Sequence, residues 1–188
     1  MNRTTVHAFR LFAPGDPCDL EFGNWSRIHE YPAVLNELGA IHKRGRLRVH
    51  NTAAGGEFVC HRQFMEALRA YDTLHTDLVV RDGVCFYDIR EPAPEWDRAF
   101  DAVVCISTLE HLLPDEQRRA LENLARQVRA GGRLVITFDL PGADLGLLER
   151  IAGCRITRQA VPLNGSNSRL PNPRFTDLNV GLLSLSPA

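Results

Sequence analysis

Four short segments with polar or very small side chains stand at the ends of apolar runs in this 188-residue chain. They are Asn51–Gly56, Asp77, Asp88 with Ile89, and Ser107–His111. A turn of alanine and glycine lets a ligand approach the backbone and exposes N–H groups to it. An acid about twenty residues later suits the two hydroxyls of a ribose, and a second acid can accept a hydrogen bond from an exocyclic amine. Together the four segments predict one site for a nucleoside.

These segments can form one site only if the apolar runs that precede them are neighbouring strands of one sheet. Apolar periodicity predicts both strands and helices. Strands are expected at 46–50, 72–80, 84–88, 100–107, 133–138, 154–161 and 178–185. Helices are expected from Ser26 to about Lys43 (beginning near Pro32), and at 57–71, 114–130 (ended by Gly131–Gly132) and 144–153.

The alternation of strands and helices indicates a mainly parallel α/β sheet, in which ligands bind beyond the carboxyl ends of the strands. Only a loop separates the last two strands, so they are expected to be antiparallel to each other. The link between Asp77 and Val84 is too short for a crossover helix. We expect one domain over residues 26–188, preceded by an irregular lead-in over residues 1–25.

Composition excludes several classes of protein. The hydrophobic fraction is 44%, the charged fraction 24% and the net charge −1, a combination that excludes intrinsic disorder. A nearly neutral chain has no overall electrostatic reason to bind nucleic acid or an anionic membrane. No apolar run is long enough for a membrane span, and the N-terminus lacks the core of a secretory signal. Five scattered cysteines favour reduced thiols in a cytoplasmic protein.

Five segments of the sequence resemble those of the class I S-adenosylmethionine-dependent methyltransferases, and the resemblance extends from about Trp25 to Pro187. The segments are LRVHNTAAGG, HTD, FYDIREP, FDAVVCISTLEHL and RAGGRLVITFDLP. The resemblance implies a single-domain, Rossmann-like α/β fold with helices on both faces. Its seven-stranded, mostly parallel sheet would have the order 3-2-1-4-5-7-6, with the last strand antiparallel.

The resemblance also implies roles for individual residues. Ala53 and Gly55 would line the methionine portion of the cofactor S-adenosylmethionine, with Asn51 at the start of the same motif. Asp77 would bind the ribose, Asp88 and Ile89 the adenine, and Ser107 would lie at the edge of the methyl-donor pocket.

The glycine-rich motif departs from the family pattern at three positions. Asn51, Ala53 and Glu57 stand where an acid and two glycines are usual. Ala53 can replace glycine if its φ is negative, whereas Asn51 lacks the charge expected near the ammonium of the ligand. Some related enzymes bind a metal through Glu-x-x-Glu-His and a distant histidine. Here Ser107 replaces the first glutamate and no histidine follows His111, so no metal is expected.

The expected activity is transfer of a methyl group to an oxygen or nitrogen of a small molecule, of the saccharide or natural-product type. Histidine is the side chain best suited to general-base catalysis near neutral pH. His111, oriented by Glu110, is therefore expected to take the proton of a hydroxyl acceptor. The chain lacks the Asn/Asp-Pro-Pro-aromatic tetrad typical of nucleic-acid amino methyltransferases.

Other interpretations remain open. The departures in the glycine-rich motif and the missing helix after Asp77 also suit a degenerate module that serves as a binding or partner subunit. A nicotinamide dehydrogenase would use similar chemistry, but the third glycine of GxGxxG is missing. The sequence leaves the oligomeric state open, a homodimer included.

Several further residues have two interpretations each. His50 and His61 are expected to be structural, while Tyr31 and Trp96 suit either pocket walls or packing. Residues 162–174, with Arg169 and Arg174, form either an exposed loop or a cover for an anionic substrate.

Overall fold

The chain folds as an α/β domain in which a parallel sheet is covered by helices. The computed structural model describes residues 27–41, 45–56, 58–140, 154–160 and 179–187. In chain order the elements are α1 (Arg27–Gly39), β1 (Arg48–Thr52), α2 (Val59–Leu68), β2 (Asp72–Asp77), β3 (Cys85–Phe86), β4 (Phe100–Ile106), α3 (Pro114–Gln127), β5 (Val128–Leu140), β6 (Cys154–Ala160) and β7 (Asn179–Pro187). Short 3₁₀ turns occur at Pro94–Trp96 and Leu109–His111.

Five strands, β1 to β5, form the parallel part of the sheet. β1 pairs with β2 on one side and β4 on the other, β2 pairs with β3, and β4 pairs with β5. Every residue of β4 is buried, as expected for a central strand covered on both faces. The prediction of a Rossmann-like α/β fold with a parallel sheet is therefore confirmed for these strands.

Two later strands extend the sheet beyond β5. β7 pairs antiparallel with both β5 and β6, which gives the order β3-β2-β1-β4-β5-β7-β6. Within the part of the chain that the structure describes, no helix has the length and apolar character needed to cross a bilayer.

Alternate residues of β4 contribute to two hydrophobic cores, because successive side chains of a strand point to opposite faces. Val104 and the β4 residues on the same face as Val104 pack against α1 and α2, with Val34, Leu38 and Phe64 in the same cluster. Val103 and the β4 residues on the opposite face pack against α3. The helices therefore cover both faces, as expected from the resemblance.

Several element boundaries differ from the sequence prediction. α1 already includes Arg27 and so extends to the N-terminal side of Pro32, near which the sequence predicted its beginning. The second strand ends at Asp77, and Leu78, Val79 and Val80 are exposed.

The glycine pair after α3 does not end that helix, contrary to the prediction. α3 ends at Gln127, and β5 already includes Gly131 and Gly132. A Cβ at Gly132 would lie 2.6 Å from the carbonyl oxygen of Asp101, so the absence of a side chain lets β5 approach β4 closely.

No helix occurs in residues 78–84 between β2 and β3, as the sequence predicted. Three other predicted segments lie outside the described residues: the lead-in at 1–25, the helix at 144–153 and the loop at 162–174.

Candidate functional site

A hollow of about 230 Å³ lies where β1 ends and the loop to α2 begins. It is lined by Arg27, Tyr31, Asn51, Ala53, Ala54, Gly55, His61, Phe64 and Ile106. Three of the predicted cofactor residues, Asn51, Ala53 and Gly55, therefore share one site.

Asp77 joins this loop to the end of β2. The backbone N–H of Gly55 donates to Asp77 Oδ2 at 3.0 Å, and the N–H of Ala54 donates to the Thr76 carbonyl at 2.9 Å. Arg81 lies beside the same carboxylate, with 3.8 Å between Nη2 and Oδ2. The structure thus brings the loop and the predicted ribose acid together, and it places a cation next to that acid.

Left-handed backbone shapes the loop at two positions. Ala53 has φ +49° and Gly55 φ +83°, so the condition of a negative φ, under which Ala53 can replace glycine, is not met. The hydrogen bonds of Ala54 and Gly55 to the end of β2 hold the loop in this conformation. At Gly55 an added Cβ would lie 2.2 Å from His61 Nδ1, so the imidazole packs directly against the glycine.

Asn51 is buried, and its side-chain amide lies 3.1 Å from His75 Nδ1 on the neighbouring strand β2. Burial, together with the nearby Arg81 cation, lowers the pKa of His75, which favours a neutral imidazole. The residue at the position of the usual motif acid is thus neutral and hydrogen-bonded within the protein.

Asp88, two residues beyond β3, is held by Arg90. Asp88 Oδ1 accepts from the Arg90 backbone N–H at 3.0 Å and from Nε at 2.9 Å, while Oδ2 accepts from Nη2 at 2.6 Å. These bonds lower the pKa of Asp88 although burial opposes them. Arg90 Nη1 also reaches Glu116 of α3 at 2.7 Å. The buried neighbour Ile89 accepts a hydrogen bond from Asn123 through its carbonyl.

Ser107 follows β4 with φ +41° and donates from Oγ to Glu30 Oε1 at 2.6 Å. Thr137 of β5 donates to the same oxygen, and Arg27 binds the other oxygen, Oε2. Burial opposes the charge of Glu30, but Arg27 and the two hydroxyls outweigh it and lower the pKa of this carboxyl. Helix α1 is thereby anchored to the carboxyl ends of two central strands.

Arg27 and Glu30 were missed as site residues in the sequence analysis. Their signal is present, since two charged residues three apart lie on the same helix face as the apolar positions of α1. An exposed i,i+3 ion pair on a helix has the same spacing. Only the structure shows that this pair is buried.

Glu110 and His111 lie in the 3₁₀ turn that follows Ser107. His111 is exposed, Glu110 is half-buried, and Leu109 between this pair and β4 is fully buried. The turn is held by the His111 N–H, which donates to the Thr108 carbonyl at 3.1 Å. Asp88, Ser107, Glu110 and His111 all stand at the carboxyl ends of neighbouring strands, outside the set that lines the hollow.

His50 is buried among ring systems and fully hydrogen-bonded. Its Nδ1 lies 2.7 Å from Gln127 Oε1 and its Nε2 2.8 Å from Thr76 Oγ1. Burial is the main reason that the pKa of His50 falls to about 4. Trp96 packs edge-on against this ring, 4.9 Å between centroids, whereas Tyr31 lines the hollow and stacks on Phe64 at 4.2 Å.

Among the described residues, no group of three or more histidine, cysteine, aspartate or glutamate side chains is arranged to hold a metal ion.

Comparison with known proteins gives a family match over part of the chain. Residues 72–136, from β2 into β5, match the model of a family described as a methyltransferase domain. The match covers less than half of the chain, and together with the fold it supports the resemblance to the class I, Rossmann-like S-adenosylmethionine-dependent methyltransferases.

The structural neighbours share this fold at low sequence identity. The PH0226 protein from Pyrococcus horikoshii OT3 is 14% identical, with a TM-score of 0.62, and the match covers 98% of this chain and 100% of that chain. The Burkholderia thailandensis 1,6-didemethyltoxoflavin-N1-methyltransferase is 17% identical, with a TM-score of 0.60 and coverage of 92% and 83%. The [4+2]-cyclase SpnF is 15% identical, with a TM-score of 0.58 and coverage of 98% and 87%. None of the curated proteins compared with the chain matches it.

The residues of the site are compatible with S-adenosylmethionine, the cofactor of this class. Small residues keep one wall of the hollow open to the backbone, and the N–H of one of them, Gly55, donates to the carboxylate of Asp77. Arg27 supplies a cation for a carboxylate. The residues therefore fit an amino-acid end in the hollow and a nucleoside along the strand ends.

Proposed function

We propose that the chain is a methyltransferase that binds S-adenosylmethionine and methylates an oxygen or nitrogen of a small molecule, of the saccharide or natural-product type. The hydrogen bond between the Gly55 N–H and Asp77 carries this proposal, because it joins the glycine-containing loop to the acid at the end of β2. The family match and the 1,6-didemethyltoxoflavin enzyme among the neighbours support it.

Each site residue has a role in this proposal. Asn51, Ala53 and Gly55 surround the amino-acid end of the cofactor, and Asp77 accepts from the ribose hydroxyls. Asp88 and Ile89 bind the adenine edge, for which Asp88 must exchange part of its contact with Arg90. Ser107 positions the wall beside the methyl donor through its bond to Glu30.

The protein's main task is to align the acceptor, because the bound sulfonium supplies an already electrophilic methyl group. His111, exposed beside the strand ends, takes the proton of a hydroxyl acceptor, and Glu110 orients it. An amine acceptor needs only to arrive neutral.

The proposal includes several finer statements. The sheet is complete in the order 3-2-1-4-5-7-6 with an antiparallel last strand, which the pairings of β6 and β7 support. The protein acts in the cytoplasm on a free small molecule, without a nucleic-acid or membrane partner, which the net charge of −1 favours.

Isothermal titration with S-adenosylmethionine and S-adenosylhomocysteine tests cofactor binding. We expect the wild-type chain to bind both, Asp77→Asn to bind both more weakly, and the exposed control Asp82→Asn to behave like wild type. Transfer of a labelled methyl group to a panel of hydroxyl and amine acceptors then tests the reaction. A silent titration at high protein concentration would contradict the proposal.

A second candidate is a methyltransferase-like module that no longer transfers methyl groups. It is favoured by the hydrogen bond between the side chains of Asn51 and His75 and by the packing of His61 against Gly55. The cyclase among the neighbours is consistent with other uses of this fold. A folded protein that binds neither cofactor form would favour this candidate.

A further inference from the structure

The most exposed apolar side chains lie along one edge of the sheet. Isolated exposed apolar residues are normal on a protein surface, but these follow or end strands β1 to β4 at their carboxyl ends, the edge at which ligands bind in such sheets. Among the described residues, no large apolar side chain at the amino ends of the strands is exposed to the same degree. The six side chains, which we call the apolar rim, are each more than half exposed: Phe58, Leu78, Val79, Val80, Phe86 and Leu113.

The apolar rim adjoins residues of the candidate site. The backbone N–H of Val79 donates to Asp77 Oδ1 at 3.2 Å, and Phe86 of β3 is in register with Asp77 of β2. Leu113 follows His111 by two residues, after the 3₁₀ turn beyond β4. A molecule that approaches the strand ends therefore meets apolar surface beside the residues proposed to act on it.

Helix stability does not explain two members of the apolar rim. Phe58 and Leu113 occupy the N-cap positions of α2 and α3, and neither makes a side-chain cap hydrogen bond. Serine, threonine, aspartate and asparagine stabilise a helix at this position because their side chains accept from its free N–H groups. Contact with a bound apolar group would give the two large side chains a use that capping does not.

The charge along this edge is negative. Residues 77–91 and 107–113 contain five acidic residues and two arginines, and each arginine is ion-paired with an aspartate of the same stretch. Asp82 and Glu91 are exposed. Residues 53–62 add one acid and one arginine, so they leave this balance unchanged. Such an edge attracts a cation and repels a carboxylate or phosphate.

We infer that the methyl acceptor is an amine with an apolar body, which packs on the apolar rim while the acidic residues attract its ammonium group. The inference rests on the proposed function and narrows its acceptor from oxygen or nitrogen to nitrogen. The ammonium first loses one proton to water. The nitrogen lone pair then attacks the methyl carbon, so that the C–N bond forms as the S–C bond breaks and the electron pair stays on sulfur. The products are an N-methylammonium ion and S-adenosylhomocysteine.

Three small probes separate the apolar and the charged parts of this recognition. Octylamine has both, ethylamine has the ammonium without the long chain, and octanoate has a chain of the same length with a negative charge. Each is titrated calorimetrically, below its micellar range, into the protein saturated with S-adenosylhomocysteine. We expect octylamine to bind at least about tenfold more tightly than ethylamine, because burying each CH₂ group is favourable, and more tightly than octanoate.

Substitutions of Leu113 distinguish binding from stability. We expect Leu113→Ser to weaken octylamine about fivefold through lost apolar contact, while the thermal midpoint rises because serine can cap α3. Leu113→Met should keep the wild-type affinity for octylamine. Both variants should bind S-adenosylhomocysteine like wild type, as should Arg118→Gln, the control on the exposed face of α3.

The charged part is tested with the double variant Asp82→Asn and Glu91→Gln. It should weaken octylamine about threefold, the size of exposed charge interactions, and strengthen octanoate. Both effects should shrink at high salt. Transfer of a labelled methyl group should favour octylamine over ethylamine and octanol.

Four results would overturn the inference while the proposed function stands. They are octanoate or ethylamine binding as tightly as octylamine, an unchanged octylamine affinity in Leu113→Ser, and no transfer to bound octylamine. The fourth is a wild-type dimer in sedimentation that Leu113→Ser converts to a monomer, since a second copy would then occupy the apolar rim. If the wild-type chain does not bind S-adenosylhomocysteine, the proposed function fails and the inference fails with it.

Discussion

Ser107 and Glu30 are 77 residues apart in the chain, yet Ser107 Oγ donates to Glu30 Oε1 at 2.6 Å. This bond joins the end of β4 to α1 in the interior, where Ser107 is itself 7% exposed. A residue expected to contact the cofactor is therefore also an anchor of the helix that closes the hollow. The backbone of Ser107 is strained, with φ +41°. Substitutions at this position can therefore separate the effect of losing the hydroxyl from the effect of the backbone conformation.

We expect Ser107→Ala to lower the free energy of unfolding by about 1.5–3 kcal/mol, because it removes a hydrogen bond to a buried charged group. Ser107→Gly removes the same bond but relieves the left-handed strain, which is worth about 1–2 kcal/mol. It should therefore destabilise less than alanine, as measured by urea unfolding. If glycine is the more damaging substitution, the strain at this position is not significant.

Gly55 should not tolerate a side chain, whereas its neighbour Gly56 should. A Cβ at Gly55 would lie 2.2 Å from His61 Nδ1 on a backbone with φ +83°, while at Gly56 the nearest atom is 3.8 Å away. We expect Gly55→Ala to lower the thermal midpoint by several degrees more than Gly56→Ala. Combining Gly55→Ala with His61→Ala should recover the part due to the clash but not the part due to φ. Equal effects of the two single alanines would contradict this description of the loop.

Much of the site position could be predicted from the sequence, since apolar runs that end in small or acidic residues indicate strand ends at one edge of a sheet. The partners of those residues could not be predicted. The positive φ of Ala53 depends on hydrogen bonds from the next two residues to the end of β2. The Arg27–Glu30 pair has the spacing of a surface ion pair, and its burial depends on hydroxyls contributed by β4 and β5.

Arg90 should compete with the ligand for Asp88. The side chain and backbone of Arg90 engage both carboxylate oxygens of Asp88, so an adenine amine must displace one of these contacts. We expect Arg90→Met to strengthen S-adenosylhomocysteine binding by about fivefold, the equivalent of one net hydrogen bond. Asp88→Asn should weaken binding. The affinities are measured by calorimetry, with Arg118→Gln on the exposed face of α3 as the control. Weaker binding by Arg90→Met would show that Asp88 does not bind the adenine.

His111 should affect the reaction without affecting cofactor binding. If it takes the proton of a hydroxyl acceptor, His111→Gln should lower kcat by about a hundredfold or more. An amine acceptor, which needs no base in the same step, should be affected much less. The dissociation constant of S-adenosylhomocysteine should stay at the wild-type value, as should all parameters of the exposed control Asp115→Asn. Equal losses of kcat for both classes of acceptor would contradict a role as base.

The buried His50 should make the fold sensitive to acid. Because burial lowers its pKa from 6.5 to about 4, the unfolded chain binds a proton between these pH values that the folded protein does not. The free energy of unfolding therefore falls as the pH falls through this window, by at most roughly 3 kcal/mol from this residue. The lowered pKa of His75 acts in the same direction.

Urea unfolding at pH 7 and pH 5 should show the decrease. In His50→Asn the dependence should be flatter and the stability at pH 7 lower, since Gln127 and Thr76 lose their hydrogen-bond partner. An unchanged slope in His50→Asn would mean that another group titrates on unfolding.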